Sequence, residues 1–328
     1  MAIVAEDIEA SGRPQEQPEG RPKTTRKKLN IFQKLRKQWA DYVYVLPALL
    51  AMLLVIGYPI YYTINLSFHY TSPALAMSEN VWIGLDNYRT ILGNADFRNA
   101  TENTLIWTVL STFFAFLVGL GAALVLNREF VGRGFLRGVL LIPWVISAVA
   151  ASYIWRWILH SDFGVIGAAT TRLGLTDGPI NFLDNVDRVL YTLVMVNVWK
   201  EFSFAMIMML AGLQTVPDQL HRAAMVDGAS TWNRFFHVTL PHLKGVTLVT
   251  VLLLIVTNLN SFTIPWVMTG GGPANASEIW ITHIYEIAFG RVRFGIASAY
   301  SVILFIVMMS MGYFYVRALT GADEKRAG

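Results

Sequence analysis

Long apolar runs are the main feature of this chain, and they recur from near residue 40 to near residue 320. A helix needs roughly twenty apolar residues to cross a hydrocarbon core about 30 Å thick. Six runs come close to or exceed that length: Tyr42–Leu66, Thr104–Leu126, Gly138–Ile158, Val189–Leu213, Val246–Met268 and Gly295–Val316. The pattern therefore predicts an all-α membrane protein with six transmembrane helices.

The third run contains a proline, Pro143. Membrane helices tolerate proline where neighbouring groups satisfy the freed backbone carbonyl, so we expect one span there. The overall composition agrees with a membrane protein, because 54% of the residues are hydrophobic and only 15% are charged. Soluble domains usually carry about 25% charged residues. The absence of cysteine excludes a disulfide framework and thiolate metal sites.

Basic residues between the apolar runs predict the orientation in the membrane. If the N-terminus is cytoplasmic, most of the 26 lysine and arginine residues fall on the cytoplasmic side. The positive-inside rule then places both termini in the cytoplasm. The net charge of +4 follows this topology and does not form the basic patch of a nucleic-acid-binding protein.

The first forty residues form a polar, basic tail without a cleavable signal peptide. Residues 1–28 are rich in Glu, Pro, Gln, Arg and Lys, which predicts disorder. In Leu29–Trp39, apolar residues recur at helical spacing between basic ones. This segment is either a short helix on the inner leaflet or a solvated basic flank that sets topology.

The connector Val216–Gly245 is longer than two antiparallel helices need. Pro217 and Asp218 predict the start of one short helix, and Asp227-Gly228 predicts its end. Trp232, Phe235 and Phe236 then follow the spacing of a second amphipathic helix, which Leu240-Pro241 is expected to stop before the next span. Two such helices would either insert into a groove on a partner or lie on the membrane.

The segment RAAMVDGAST…FFHVTLP (Arg222–Pro241) resembles the EAA loop of binding-protein-dependent ABC importer permeases. Other segments are similar to the carbohydrate, maltose-type branch of that family. They are WIGLDNYRTIL (Trp82–Leu92), LIPWV (Leu141–Val145), VNVWKEFSFAM (Val196–Met206), AGLQTVP (Ala211–Pro217) and TGGGP (Thr269–Pro273). The resemblance covers about residues 40–320. It implies a permease subunit of a sugar importer in a bacterial inner membrane.

The resemblance also implies a domain organisation. Four regions are expected: a cytoplasmic basic tail (1–40), the first transmembrane helix with an external loop (41–100), the core permease transmembrane domain (101–320) and a cytoplasmic tail (321–328). The expected partners are a second permease subunit forming a heterodimer, two ATPase subunits, an extracellular or periplasmic substrate-binding protein and the lipid bilayer, but no nucleic acid.

In this family the EAA loop is a coupling helix that docks on the cytoplasmic ATPase. That role is implied for Arg222, Ala223, Ala224, Asp227, Gly228, Leu240 and Pro241. Arg222 departs from the family pattern, which has a glutamate facing the ATPase at this position. Either a compensating acidic residue on the partner or an asymmetric role within a pair of permeases would accommodate the reversed charge.

Polar side chains inside two spans predict where the substrate passes, because buried polar residues in membranes usually face a pathway. On the fourth span, Asn197, Glu201 and Phe204 share a helical face, with Lys200 beside them. On the fifth, Asn258 and Ser261 share a face. Both sets fall near the bilayer midplane, where transporters place their sites.

In maltose-type permeases, cavity residues match the positions of Trp144, Asn197, Lys200, Glu201, Phe204, Asn258 and Ser261. Amides, hydroxyls and flat aromatic faces suit the hydroxyl rim and apolar faces of a sugar. Two alternatives remain open. In the first, Lys200 and Glu201 would form a structural charge pair or contact another subunit instead of the substrate. In the second, Asn258 and Ser261 would serve only as interhelical hydrogen-bond partners. If Lys200 faces the cavity, the substrate could be an anionic sugar.

The chain contains no phosphate-binding G-x-x-x-x-G-K-[ST] motif, no H-E-x-x-H motif and no nucleophile elbow, so we do not expect an enzyme. We expect no cofactor on this chain, and ATP and magnesium on the partner ATPase. The alternative is a secondary transporter driven by an ion gradient, which would predict two recognisable sequence halves or broken helices that hold ions, and the sequence shows neither. Alternative substrates within the importer family are an anionic sugar derivative, a polyol or glycerol phosphate.

Overall fold

The computed structural model describes residues 39–71, 81–174, 176, 178 and 180–327. The predicted disordered tail 1–28 and all of Leu29–Trp39 except its last residue lie outside the described residues. The described part is mostly helical. Its elements are α1 (Trp39–Met52), α2 (Tyr58–Leu66), β1 (His69–Tyr70), β2 (Val81–Trp82), α3 (Asp86–Gly93), α4 (Ala95–Leu126), α5 (Arg133–Val145), α6 (Ala148–Ile158), α7 (Val165–Arg172), α8 (Val189–Leu213), α9 (Asp218–Val226), α10 (Thr231–Arg234), α11 (Leu240–Leu259), α12 (Thr263–Thr269), α13 (Trp280–Tyr285) and α14 (Phe294–Ala327).

Five helical stretches in the described residues are long and apolar enough to cross a membrane. They are Val43–Leu66, Ala95–Leu126, Val189–Leu213, Thr231–Thr269 and Phe294–Tyr315. A bent helix pair, Arg133–Val145 with Ala148–Ile158, makes a sixth if the pair counts as one span. The five stretches overlap the predicted runs closely, because length and apolarity are read directly from the chain.

The chain divides into two compact units, and the first ends at Tyr58. Its described residues form α1, which contains Pro47, and a π-helical turn, Leu53–Gly57. Every side chain from Val43 to Ile56 is exposed within this unit. An apolar helix exposed on all sides is suited to lipid or to another chain rather than to water.

The second unit is built on α4 and α8, which pack along each other. Gly119 allows this close approach, because a Cβ atom placed there would lie 2.6 Å from the Cβ of Ala205 and 2.7 Å from the carbonyl oxygen of Phe202. Small residues at helix interfaces are a common means of packing in membranes. Helix α11 packs against both, so the core of this unit lies among three helices.

The third predicted run, Gly138–Ile158, is not the single helix that the sequence suggested. It contains α5 and α6, which are bent by 96° relative to each other. The break lies at Ile146 and Ser147, whose backbones are extended, and not at Pro143, which stays inside α5. The expectation of one continuous helix was wrong. A proline kink only tilts a helix, whereas here two residues with extended backbone turn the chain by nearly a right angle.

The prediction that Leu240-Pro241 stops the second short helix is also wrong. Helix α10 continues through a π-helical turn, Phe235–Thr239, directly into α11. Pro241 occupies the first turn of α11. In the π-helical turn the Leu240 N–H bonds to the Phe235 carbonyl oxygen, five residues back. This wider spacing accommodates the missing proline donor, so the backbone continues without a break.

A small layer with two short strands joins the start of the second unit to its last helix. Strands β1 and β2 pair antiparallel, with His69 opposite Trp82. The Asn87 side chain in α3 donates to the carbonyl oxygens of Ser67 (2.8 Å) and His69 (3.0 Å). The Gly295 N–H, at the start of α14, donates to the Thr71 hydroxyl (2.9 Å). These bonds tie residues 67–71 to α3 and α14.

Candidate functional site

A cavity of about 560 Å³ lies where the broken pair α5 and α6 meets α8 and the junction of α11 and α12. Its lining combines amides, hydroxyls, a carboxyl group, an ammonium group and an indole. The lining residues are Trp144, Ala148, Asn197, Lys200, Glu201, Val256, Thr257, Asn260, Ser261, Phe262, Thr263 and Ile264. The chain is irregular at this place on two sides, at Ile146–Ser147 and at Asn260–Phe262. Irregular backbone at membrane depth is tolerated where it lines a cavity.

Five of the seven predicted pathway residues line this cavity: Trp144, Asn197, Lys200, Glu201 and Ser261. Phe204 does not line it but supports its wall, since its ring stacks on Trp144 with a centroid separation of 6.5 Å. Asn258 is fully buried behind the cavity. Contact of any of the seven with substrate remains a prediction.

Asn258 joins three helices through hydrogen bonds. Its side-chain oxygen accepts a bond from the Asn197 amide of α8 (2.7 Å), and its own amide donates to the Thr112 hydroxyl of α4 (3.1 Å). Its backbone carbonyl accepts a bond from the Trp107 indole (3.1 Å). These four residues are named the amide cluster below. For Asn258, this geometry favours the alternative of an interhelical hydrogen-bond partner.

Lys200 and Glu201 differ in their contacts. The Lys200 ammonium group donates to the carbonyl oxygen of Ile146 at the α5–α6 break (3.2 Å). Among the described residues, none forms a hydrogen bond with the Glu201 carboxyl group, and no ion pair joins it to Lys200. Neighbours on a helix point in different directions, so adjacency in the sequence did not predict these separate roles.

Sequence reasoning missed several residues around the cavity. Ala148 and Thr257 line it, and Thr112 and Trp107 hold Asn258 from the second span. A signal existed for Thr112 and Trp107, because polar groups inside an otherwise apolar run usually face the interior of the bundle. Ala148 carried none, since its position depends on the bend.

A second cavity of about 530 Å³ lies at the other end of α12. Arg156, His160 and Asp184 line it together with Trp266 and Thr269. The first cavity contains Thr263 and Ile264 from the opposite end of the same short helix. Ile264 and Met268 are buried, so α12 is packed into the unit between the two cavities.

The predicted coupling segment contains a short exposed helix, α9. Helix α9 begins at Asp218 after Pro217 and ends before Gly228, which has a φ of +76°, as the sequence predicted. None of the nine residues of α9 is buried against the rest of the described chain, and Val226 is 88% exposed. The structure places Arg222, Ala223, Ala224, Asp227 and Gly228 on or just after α9, and Leu240 and Pro241 at the start of α11.

The family model for binding-protein-dependent transport system inner membrane components matches residues 115–322. This range contains the cavity, the coupling segment and two of the four residues of the amide cluster, Asn197 and Asn258. The chain belongs to this family. The resemblance noted in the sequence is thereby confirmed.

Individual relatives agree with this assignment. The chain is 33% identical to the trehalose/maltose transport system permease protein MalF of Thermococcus litoralis, over 88% of this chain and 97% of that one. It is 34% identical to the sulfoquinovosyl glycerol transport system permease protein SmoG of Agrobacterium fabrum, over 84% of this chain and 89% of that one.

A solved structure supports the fold. It is that of a bacterial alginate ABC transporter in complex with an alginate pentasaccharide-bound periplasmic protein. One of its chains is 22% identical to this one and superposes with a TM-score of 0.73, over 87% of this chain and 95% of that one. By its family and its relatives, the chain is a multi-pass membrane component of an ABC transporter.

Proposed function

We propose that this chain forms one half of the translocation pathway of an ATP-driven importer for a sugar or sugar derivative. The observation that carries the proposal is the polar cavity among α5, α6, α8 and α11. Polar groups at membrane depth are costly and are kept where a substrate needs them. In this proposal α5 and α6 count as one broken span, which gives six spans with both termini in the cytoplasm.

The chemistry of the cavity supports a sugar. Asn260 offers an amide, Ser261 offers a hydroxyl group, and Trp144 offers a flat apolar surface. These groups match a pyranose, which presents hydroxyls at its rim and C–H groups on its faces. The relatives named for trehalose, maltose and sulfoquinovosyl glycerol transport support the same class of substrate.

The exposed helix α9 supports coupling to an ATPase. A short helix whose residues are not buried in its own chain is available to a groove on another protein. In this proposal the partner ATPase binds ATP and magnesium, and its cycle favours inward-facing and outward-facing states in turn. Arg222 is exposed on α9, where it would face an acidic group of that partner.

The proposed complex has a second permease subunit, two ATPase subunits and an extracellular or periplasmic substrate-binding protein, in a bacterial inner membrane. The test is to co-purify the complex, identify its subunits and reconstitute it in liposomes. Uptake of a sugar that requires both the binding protein and ATP is expected. The sugar is identified first by ligand binding to the captured binding protein.

Two results would contradict this function. Uptake by this chain alone, driven by an ion gradient without ATP, would favour a secondary transporter. Capture of ATPase subunits together with transport of a polyol, a glycerol phosphate or an anionic derivative would keep the ABC importer and replace its substrate. The reconstituted complex without ATP is the control for leakage.

A further inference from the structure

The bend between α5 and α6 leaves backbone carbonyls of α5 without their usual helical donors. The last carbonyls of any helix lack intrahelical partners, and at membrane depth each unsatisfied group is costly. Pro143 adds to this, since it has no N–H to donate within α5. A bend of 96° at this place therefore needs donors from outside the pair.

Helix α8 supplies one donor to a carbonyl at the break itself and a second donor to a carbonyl inside α5. The Ser203 hydroxyl donates to the carbonyl oxygen of Leu140 (2.6 Å), and the Lys200 ammonium group donates to that of Ile146 (3.2 Å). Residues three apart lie on one face of a helix, so both donors point toward α5. A positive charge at the C-terminal end of α5 is also favoured by the helix dipole.

The segment between the two bonded carbonyls, from Leu140 to Ile146, forms part of the cavity wall. Trp144 lies between Leu140 and Ile146, lines the cavity and stacks on Phe204 of α8. Ala148, the first residue of α6, lines the cavity on the other side of the break. The position of both walls thus depends on where the bend is held.

The use of Lys200 in this way directs its ammonium group toward the backbone rather than toward a substrate, although the group keeps its charge. Its ammonium group is bonded to a backbone carbonyl, whereas the Glu201 carboxyl group has no hydrogen bond from the described residues. A carboxyl group accepts hydrogen bonds from sugar hydroxyls and disfavours an anionic ligand nearby.

We propose that Lys200 is a positioning residue that holds the α5–α6 bend, and that Glu201 is the acidic residue that faces the substrate. The substrate class that follows is a neutral, hydroxyl-rich sugar rather than an acidic one. The part of this inference that concerns the substrate rests on the proposed function. The part that concerns the α5–α6 bend rests on geometry alone.

The first experiment measures uptake by the reconstituted complex, with trehalose as the neutral probe and glucuronate as the acidic probe. We expect Lys200→Ala to lower the maximal rate for any transported probe by about tenfold, the factor that corresponds to losing one good interhelical hydrogen bond. The ratio between the two probes should not change. Lys200→Arg, which keeps a donor and the charge, should restore most of the rate.

A fall confined to the acidic probe in Lys200→Ala would overturn the proposal, because Lys200 would then bind the substrate. Glu201→Gln removes the charge and keeps a similar shape. It should raise glucuronate uptake relative to trehalose uptake, and an unchanged ratio would refute the role of Glu201.

The second experiment needs no transport. The chain has no cysteine, so a single Ala148→Cys substitution reports on one wall of the cavity. In membranes, its rate of alkylation by a maleimide should rise severalfold in the Lys200→Ala background and return toward the starting value with Lys200→Arg. Ser203→Ala should produce a smaller rise, and Glu201→Gln none.

Equal alkylation rates in all these backgrounds would refute the proposed role of Lys200 in the bend. If the complex takes up no sugar, the proposed function fails, but the alkylation rates still decide whether Lys200 holds the bend. The two failures are therefore distinguishable.

Discussion

The core helices bury polar side chains, whereas the predicted coupling helices α9 and α10 expose large apolar ones. Among α4, α8 and α11, the side chains of Asn197 and Asn258 are buried to 1% and 0% exposure. In the segment from α9 to α10, Val226 is 88% exposed and Trp232 is 73% exposed. Within this one chain, amides are inside and large apolar groups are outside.

The difference lies in whether each region finds partners for its side chains within the described chain. The amides of the core satisfy one another across three helices, so their burial costs little. The apolar groups of α9 and α10 find no cover in the described chain, and a monomer in water would not keep such groups exposed together. The amide cluster is thus satisfied within the chain, whereas the large apolar side chains of α9 and α10 stay exposed.

The largest effect on stability is expected where α4 meets α8. Gly119→Val would place methyl groups against Ala205 and the backbone of Phe202, where even a Cβ is too close. Overpacking of this kind costs about 1–3 kcal/mol and often more, so little folded protein should remain in detergent.

Gly121→Val is the matched control for this site. It lies on the same helix, and nothing is within 4 Å of a Cβ placed there. Its thermal unfolding in detergent should stay close to that of the unchanged protein. Equal losses in both variants would mean that helix propensity, and not the packing of α4 on α8, decides stability.

A smaller loss is expected from the amide cluster. Asn258→Leu keeps the approximate volume but leaves Asn197 and Thr112 without their partner. Unsatisfied buried groups cost about 1–3 kcal/mol each in soluble proteins and less in membranes, so a loss near the lower end is expected. Denaturant unfolding in detergent measures it.

Asn260→Leu is the control for the amide cluster, because Asn260 is exposed and bonds only within its own helix and to the sulfur of Met308. It should leave the unfolding free energy nearly unchanged. If Asn258→Leu is equally harmless, the buried amides do not stabilise the core, and the contrast between the two regions loses its basis.

The smallest effect on stability is expected in the coupling segment. Val226→Asp changes a side chain that is 88% exposed, so the unfolding free energy should stay within about 0.5 kcal/mol. Co-purification of the ATPase and ATP-driven uptake should both fall sharply. Retained ATPase binding would show that this surface is not the docking surface.

The sequence predicted the spans well where one straight helix buries one face. Val189–Leu213 was predicted with the boundaries that the structure shows, because its apolar run ends where the helix ends. The start of α9 at Asp218 and its end before Gly228 were also predicted, since both are local signals. Helix formation at these places is decided by neighbours in the chain.

The site was predicted less completely, because it depends on contacts between distant residues. The polarity of Lys200 and Asn258 showed that both were important, but not that one bonds to the carbonyl at the α5–α6 break and the other to two helices. The bend at Ile146 and the passage of the helix through Pro241 were both missed. Each depends on donors or hydrogen-bond spacing that no periodicity reveals.

The sequence by itself determined that this is a membrane protein of the permease family, because apolar length and short motifs are properties of the chain. Only the tertiary structure decided which polar groups face the cavity and which hold it together. The physical reason is that a buried polar group takes its role from its hydrogen-bond partner, and the partners of Lys200, Ser203 and Asn258 lie on other helices.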